Sequence, residues 1–248
     1  MTGDVRFARL APEGSAARAR ELLAGVRPRE RAPARRPFVF ANLVATLDGR
    51  AAVGGRTSGI GTEADLEMLL ELRALADAVL IGVGTLRAEG YQRLMRSEER
   101  RAHRTAAGLA GDPLAVVVSR GLDVPWDAGL FAAPEQPVLV YTGAAGAAPA
   151  VAAPVEVVRL EDPAPAAVLA DLRRRGVRVL LCEGGPRLLG ALLAGGLVDE
   201  LFLTLAPLLT GEPDAPRIVE GTELPALAHA RLSWILRSGD ELFLRYAL

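Results

Sequence analysis

The chain has 248 residues, 50% hydrophobic and 24% charged, and its 29 basic residues (all Arg) nearly balance 30 acidic ones. That composition suits one or two soluble globular domains and excludes disorder along most of the chain, while a net charge of −1 argues against a nucleic-acid partner. One cysteine (Cys182) makes no internal disulfide, two histidines (His103 and His229) make no ordinary zinc site, and no apolar run reaches the ~18–20 residues of a membrane span.

No charged-then-apolar leader precedes the chain, so a cytoplasmic protein without metal or membrane partner is expected. Residues 1–36, rich in Ala, Arg, Gly and Pro, read as an N-terminal arm that edges or wraps the fold, with a short helix over Ala16–Leu23. Residues 37–248 read as a single α/β domain. Phe38–Val44 is strand-like, and Asp48-Gly49 and Gly54-Gly55 mark turns. Thr62, with Asp65 three residues on, predicts a helix start, followed at helical spacing by Leu66, Leu69, Leu70, Ala74 and Leu75.

Ala78–Gly84 is an unbroken apolar run ending in glycines, the pattern of a strand buried on both faces. Residues 92–112 are polar and Arg-rich and predict a surface excursion. Leu114–Ser119, Pro137–Tyr141 and Val155–Val158 predict buried strands, and Pro165–Arg175 a helix stopped by Gly176. Val177–Cys182 (strand), Pro186–Leu193 (helix) and Glu200–Ala206 (strand) follow. Arg231–Leu236 and Glu241–Tyr246 close the chain as an antiparallel hairpin. Strands alternating with helices predict a mixed, mostly parallel sheet flanked by helices on both faces.

Sheets of this kind bind ligands at the carboxyl ends of their strands. Three loops fit. In Gly82–Gly90, Gly84 opens the backbone to a phosphate and Thr85 supplies a hydroxyl, unless the glycines merely turn the chain. In Cys182–Pro186, Gly184, Gly185 and Pro186 predict an uncapped helix start that attracts an anion, and Glu183 accepts hydrogen bonds from ligand hydroxyls; the competing reading is a tight turn with Glu183 solvated. The third runs from Asn42 through Asp48-Gly49 to Thr62 and places one carboxylate in a cleft. Ser119 and Arg120 follow a strand, where Arg suits the 2′-phosphate of NADP or is simply a surface charge.

Asn42–Gly49, Leu72–Ala74 with Ala76–Val79, Gly82–Arg87, Glu183–Pro186 and Leu197–Leu201 with Ala206-Pro207 occur together and in order. In these blocks the chain, from Pro37 onward, resembles the reductase (RibD C-terminal) domain of bacterial riboflavin biosynthesis proteins, which has a dihydrofolate-reductase-like fold. The resemblance implies NADPH-dependent reduction of a phosphoribosylaminopyrimidine, such as 5-amino-6-(5-phosphoribosylamino)uracil, whose ribose opens to an imine before hydride arrives. It implies substrate contacts at Ser58, Arg73, Arg96 and Glu183. NADPH contacts are implied at Ala45, Ile60, Thr62, Thr85, Glu89, Ser119 and Gly185, Pro186, Arg187, Leu188 and Leu189. Asp48 and Glu183 are the expected catalytic acids, with Asp48 orienting the pyrimidine or supplying a proton, and Arg73 with Arg96 forms a phosphate clamp.

Without a His/Cys zinc set in this chain, a stand-alone reductase is implied rather than a deaminase fusion, and a homodimer through Leu201–Leu205 and the closing hairpin. Two positions depart from the bacterial pattern: Asn42 replaces Lys, and Glu89-Gly90-Tyr91 replaces Asp-Asp-Pro, so that Arg93 and Arg96 both remain clamp candidates. The Gly-Val-Gly-Thr-x-Arg-x-Glu-Gly-Tyr form is similar to that of stand-alone actinobacterial relatives with dihydrofolate reductase activity, which is the first alternative. The second is a non-catalytic NADP-binding protein.

Overall fold

The computed structural model describes residues 5–248; residues 1–4 of the expected arm lie outside the described residues. In chain order the elements are β1 (Phe7–Ala11), β2 (Glu13–Ala17), α1 (Ala19–Leu23), β3 (Phe38–Ala45), α2 (Glu63–Leu75), β4 (Ala78–Gly82), α3 (Val83–Glu89), α4 (Glu98–Ala106), β5 (Leu114–Val118) and β6 (Val138–Thr142). There follow β7 (Val155–Arg159), α5 (Pro165–Arg174), β8 (Val179–Cys182), α6 (Pro186–Ala194), β9 (Glu200–Leu205), β10 (Arg231–Ser238) and β11 (Glu241–Ala247). They fall into two compact units.

The first unit gathers the chain up to Arg27, Val39–Leu72 and Pro186–Leu248. Its strands run in the order β2-β1-β10-β11-β9-β3, antiparallel except for β3 beside β9. β9 alternates buried and half-buried residues, as a strand with one covered face must. On the covered face Phe202 meets Phe40 and Trp234 edge-on, both at 5.7 Å, and Phe7 meets Phe243 at 4.9 Å. Glu200 is buried there because Arg245, its neighbour on β11, grips both carboxylate oxygens at 2.6 and 3.0 Å.

The second unit holds Pro28–Phe38 and Arg73–Gly185, with all five strands parallel in the order β8-β4-β5-β6-β7. β4, β6 and β8 are buried nearly throughout, as expected of apolar runs covered on both faces. Arg29 pairs with Asp77, whose other oxygen accepts the N–H groups of Arg178 and Val179 at 2.9 Å.

Several expectations need correction. The helix expected over Ala16–Leu23 is shorter, because Ala16 and Ala17 belong to β2, where Ala17 pairs with Phe7, and α1 begins only at Ala19. β4 stops at Gly82, and Val83 and Gly84 open α3 instead of continuing the strand. The excursion over 92–112 is not merely surface: Leu94 and Met95 are buried, and α4 carries Arg104 inward. β7 comes last in the strand order of the described residues and is only half-buried. Thr62 does cap α2, its Oγ1 accepting the Ala64 N–H at 3.2 Å, but its own N–H donates to Glu241 rather than to Asp65. The buried face of α2 is Ala64, Met68, Glu71 and Leu72, whereas Leu66 is exposed. Glu71 can sit inside because Arg20 binds both its oxygens at 3.1 Å.

Candidate active site

β4 and β8 are hydrogen-bonded parallel neighbours, so Gly82 and Glu183 stand together where the two strands end. The Glu183 N–H donates to Leu80 O at 3.0 Å and the Gly82 N–H to Gly184 O at 2.8 Å. The Gly184–Gly185 peptide is cis. The glycines keep this approach close: a Cβ on Gly82 would lie 3.0 Å from the Gly185 nitrogen, and one on Gly185 would lie 2.6 Å from Thr85 Oγ1. At Gly84, by contrast, a Cβ would meet nothing within 4 Å, leaving open space beside the first turn of α3. No side chain caps that turn and no acidic residue lies in it. Of the expected coenzyme residues, this unit therefore brings Gly84, Thr85, Gly184 and Gly185 together. Glu89 closes α3, and Gly90, in the left-handed conformation at φ 61°, turns the chain back.

That reversal delivers Tyr91 to Glu183. The Glu183 carboxylate is nearly fully buried and receives three donors: Arg73 Nε on Oε1 at 2.6 Å, and Arg73 Nη2 at 2.7 Å and the Tyr91 hydroxyl at 2.8 Å on Oε2. Arg73 Nη1 reaches Leu94 O at 3.2 Å, and the guanidinium carbon lies 5.7 Å from the centre of the Tyr91 ring. Burial works against the Arg73 charge, but the adjacent Glu183 carboxylate overrides it and holds the guanidinium above its ordinary range. Burial, and then the Glu183 charge, push the Tyr91 hydroxyl well up, so it stays a donor. Burial lifts the Cys182 thiol to about 12, which leaves it inert as a nucleophile.

Arg73 sits in the last turn of α2, and Arg104 holds that turn. Its Nη1 donates to the carbonyls of Arg73, Ala74 and Ala76 at 2.8, 3.0 and 2.7 Å, and its Nε to those of Ala110 and Gly111. Burial pulls its guanidinium down to about 10, still cationic at neutral pH and opposite the negative end of the helix. The two clamp candidates now separate. Arg93 is committed to both oxygens of Asp112, at 2.9 and 2.6 Å, and approaches Glu135, whereas Arg96 is exposed. Ser119 is buried after β5, and Arg120 is exposed beyond it.

The first unit carries the remaining expected residues. Asp48 is exposed; its Oδ1 accepts the Thr46 hydroxyl at 2.6 Å and the Thr210 N–H at 3.3 Å, and its Oδ2 the Gly211 N–H at 2.9 Å. The Thr46 hydroxyl and the Gly211 N–H pull it down to about 2. It is therefore an ionised acceptor at neutral pH. Ser58 is exposed. Ala45, Ile60 and Leu189 are buried and Leu188 is half-buried, while Pro186 and Arg187 open α6, whose first turn holds no acidic residue.

Sequence reasoning missed the partners rather than the positions. Tyr91 stood out only as a departure from the family pattern, and Arg104 as one charge in a polar stretch. A glycine directly after a helical run, followed by an aromatic, was the available sign of a chain reversal. Among the described residues no cluster of three or more His, Cys, Asp or Glu could hold a metal, and no helix is long and apolar enough to cross a membrane.

Residues 37–244 match the family model described as RibD C-terminal domain. The chain is 34% identical over 218 residues to 2,5-diamino-6-ribosylamino-4(3H)-pyrimidinone 5′-phosphate reductase of Archaeoglobus fulgidus, covering 83% of this chain and 95% of that one. It is 30% identical over 227 residues to the protein of the same name from Methanothermobacter thermautotrophicus, covering 86% and 99%. Among solved structures, a pyrimidine reductase-like protein from Corynebacterium diphtheriae shares the fold with a TM-score of 0.79 at 23% identity, over 93% of this chain and 98% of that one. The expected dihydrofolate-reductase-like fold class is thereby borne out, and the chain belongs to the RibD C-terminal domain family.

Proposed function

We propose that the protein is an NADPH-dependent oxidoreductase of riboflavin biosynthesis that reduces the ribosyl side chain of a phosphorylated aminopyrimidine. Two relatives at 30–34% identity bear the name of such a reductase, and this chain spans nearly all of their length. The observation that carries the reading is the end of β8, where a buried, fully oriented carboxylate stands beside a glycine-lined backbone approach.

The residues at hand fit a dinucleotide. In the second unit, Gly84 leaves open space beside the start of α3, and Gly185 keeps a side chain away from the Thr85 hydroxyl. The family implies a nicotinamide coenzyme, and the exposed Arg120 after β5 favours the 2′-phosphorylated form, NADPH, over NADH. When bound, the nicotinamide supplies a hydride to the imine carbon of the ring-opened sugar, whose nitrogen takes a proton.

Glu183 accepts a hydroxyl or amino hydrogen of the substrate on its less occupied oxygen, Oε1. Arg73 neutralises that carboxylate, with Nε and Nη2 on its two oxygens and Nη1 on Leu94 O. Arg96, exposed, meets the 5′-phosphate. In the first unit, Asp48 is held ionised and is an acceptor for ligand N–H groups. Leu201, Leu203 and Leu205 of β9 and Leu242 and Leu244 of β11 form a half-exposed apolar face that a second copy of the chain would cover, giving a cytoplasmic homodimer.

The test is coenzyme oxidation followed by absorbance. NADPH, in preference to NADH, should be consumed with the diamino-pyrimidinone or aminouracil ribosylamino 5′-phosphate. Consumption only with dihydrofolate, or with no pyrimidine at all, would overturn the assignment.

A further inference from the structure

Tyr91 occupies a position where the chain departs from the bacterial pattern, yet it is aimed at the carboxylate on which the proposed function depends. A bidentate Arg–carboxylate pair fixes two atoms in a plane but leaves the pair free to rock about the axis joining them. The Tyr91 hydroxyl supplies a third point. It donates to Glu183 Oε2 at 2.8 Å, the oxygen that also takes Arg73 Nη2, while Oε1 takes only Arg73 Nε. A carboxylate oxygen has two acceptor sites, so Oε2 is saturated and Oε1 retains one. The Tyr91 ring also lies 5.7 Å from the Arg73 guanidinium carbon, and Arg73 Nη1 is engaged with Leu94 O. Three of the five guanidinium N–H groups are thus engaged, two on Glu183 and one on Leu94 O.

We infer that Tyr91 is a positioning and specificity-determining residue: by saturating Glu183 Oε2, it holds the carboxylate so that Oε1 is the acceptor for an uncharged, donor-bearing part of the substrate. The inference rests on the proposed reductase reading. Deleting one hydroxyl preserves the aromatic body and its packing, so Tyr91→Phe isolates the third contact.

The experiment compares Tyr91→Phe, Glu183→Gln and the double variant. It measures KM and kcat, and the affinity of NADPH-loaded protein for the aminopyrimidine ribosylamino 5′-phosphate and for its dephosphorylated form, by calorimetry. Tyr91→Phe should raise KM and Kd by about tenfold, equally for both ligands, with kcat, NADPH affinity and melting temperature little changed. In the Glu183→Gln background it should add little, because the two residues act as one unit. Unchanged affinity in Tyr91→Phe, full additivity, or a loss confined to the phosphorylated ligand would each overturn the inference. Failure of the reductase reading looks different: the wild-type protein binds the aminopyrimidine but does not turn it over, and the calorimetric comparison still decides the role of Tyr91.

Discussion

Asp65 carries a prediction of unusual sign. It lies in the first turn of α2 with Oδ1 buried and unpartnered, the Thr204 hydroxyl on its carboxyl group and the Glu241 carboxylate nearby. Burial first, and the Glu241 charge after it, push it up from 3.8 to about 6, against the Thr204 hydrogen bond. The folded protein therefore holds a proton that the unfolded chain releases between about pH 4 and 6, so this group's contribution to stability falls as pH rises through that window. A rise from 3.8 to about 6, at ~1.4 kcal/mol per pH unit, makes the ionised form costly by about 3 kcal/mol at neutral pH.

Asp65→Asn removes the charge while its amide can accept from Thr204 and donate toward Glu241. After allowing for the amide's own burial, the variant should gain about 1–2 kcal/mol at pH 7.5, or roughly 3–6 °C for a chain of this size, and about nothing at pH 4.5. Urea titrations of both proteins at the two pH values measure it, since the difference between them cancels every other carboxyl. Equal stability of the two at pH 7.5, or the same difference at both pH values, refutes the reasoning.

Arg104→Met should cost about 3–5 kcal/mol in urea unfolding, because it strips a buried cation from five carbonyls; a loss below about 1 kcal/mol would mean water replaces it. Arg96→Ala should raise the KM of the phosphorylated substrate about 10–100-fold without moving the melting temperature. Arg93→Ala should do the opposite, lowering stability by about 1–3 kcal/mol through its pair with Asp112 and leaving KM in place, as thermal melts and initial rates will report.

What the sequence made legible was whatever local chemistry decides. The apolar run at Ala78–Ile81, the Thr62 cap and the closing hairpin about Gly239, at φ 57°, follow from patterns within a few residues. β1 and β2 were illegible because Phe7–Ala11 and Glu13–Ala17 are poor in β-branched residues and become strands only by pairing with β10 and with each other. Arg104 read as solvated because only the tertiary fold brings the carbonyls ending α2 to it. In the candidate site the glycine positions were readable from the chain, whereas the Tyr91 hydrogen bond spans 92 residues and depends on a reversal at Gly90. Arg73 was the instructive case: its carboxylate partner Glu183 lies 110 residues away in the chain, so the sequence shows the cation without the pair.

The most direct measurement uses NADPH deuterated at the transferable position of the nicotinamide, with the aminopyrimidine ribosylamino 5′-phosphate, and product analysis by mass spectrometry and NMR. One deuterium at C1′ of a ribityl side chain is the predicted outcome. A product with its label on the pyrimidine ring, or unlabelled starting material alongside intact coenzyme, would contradict it.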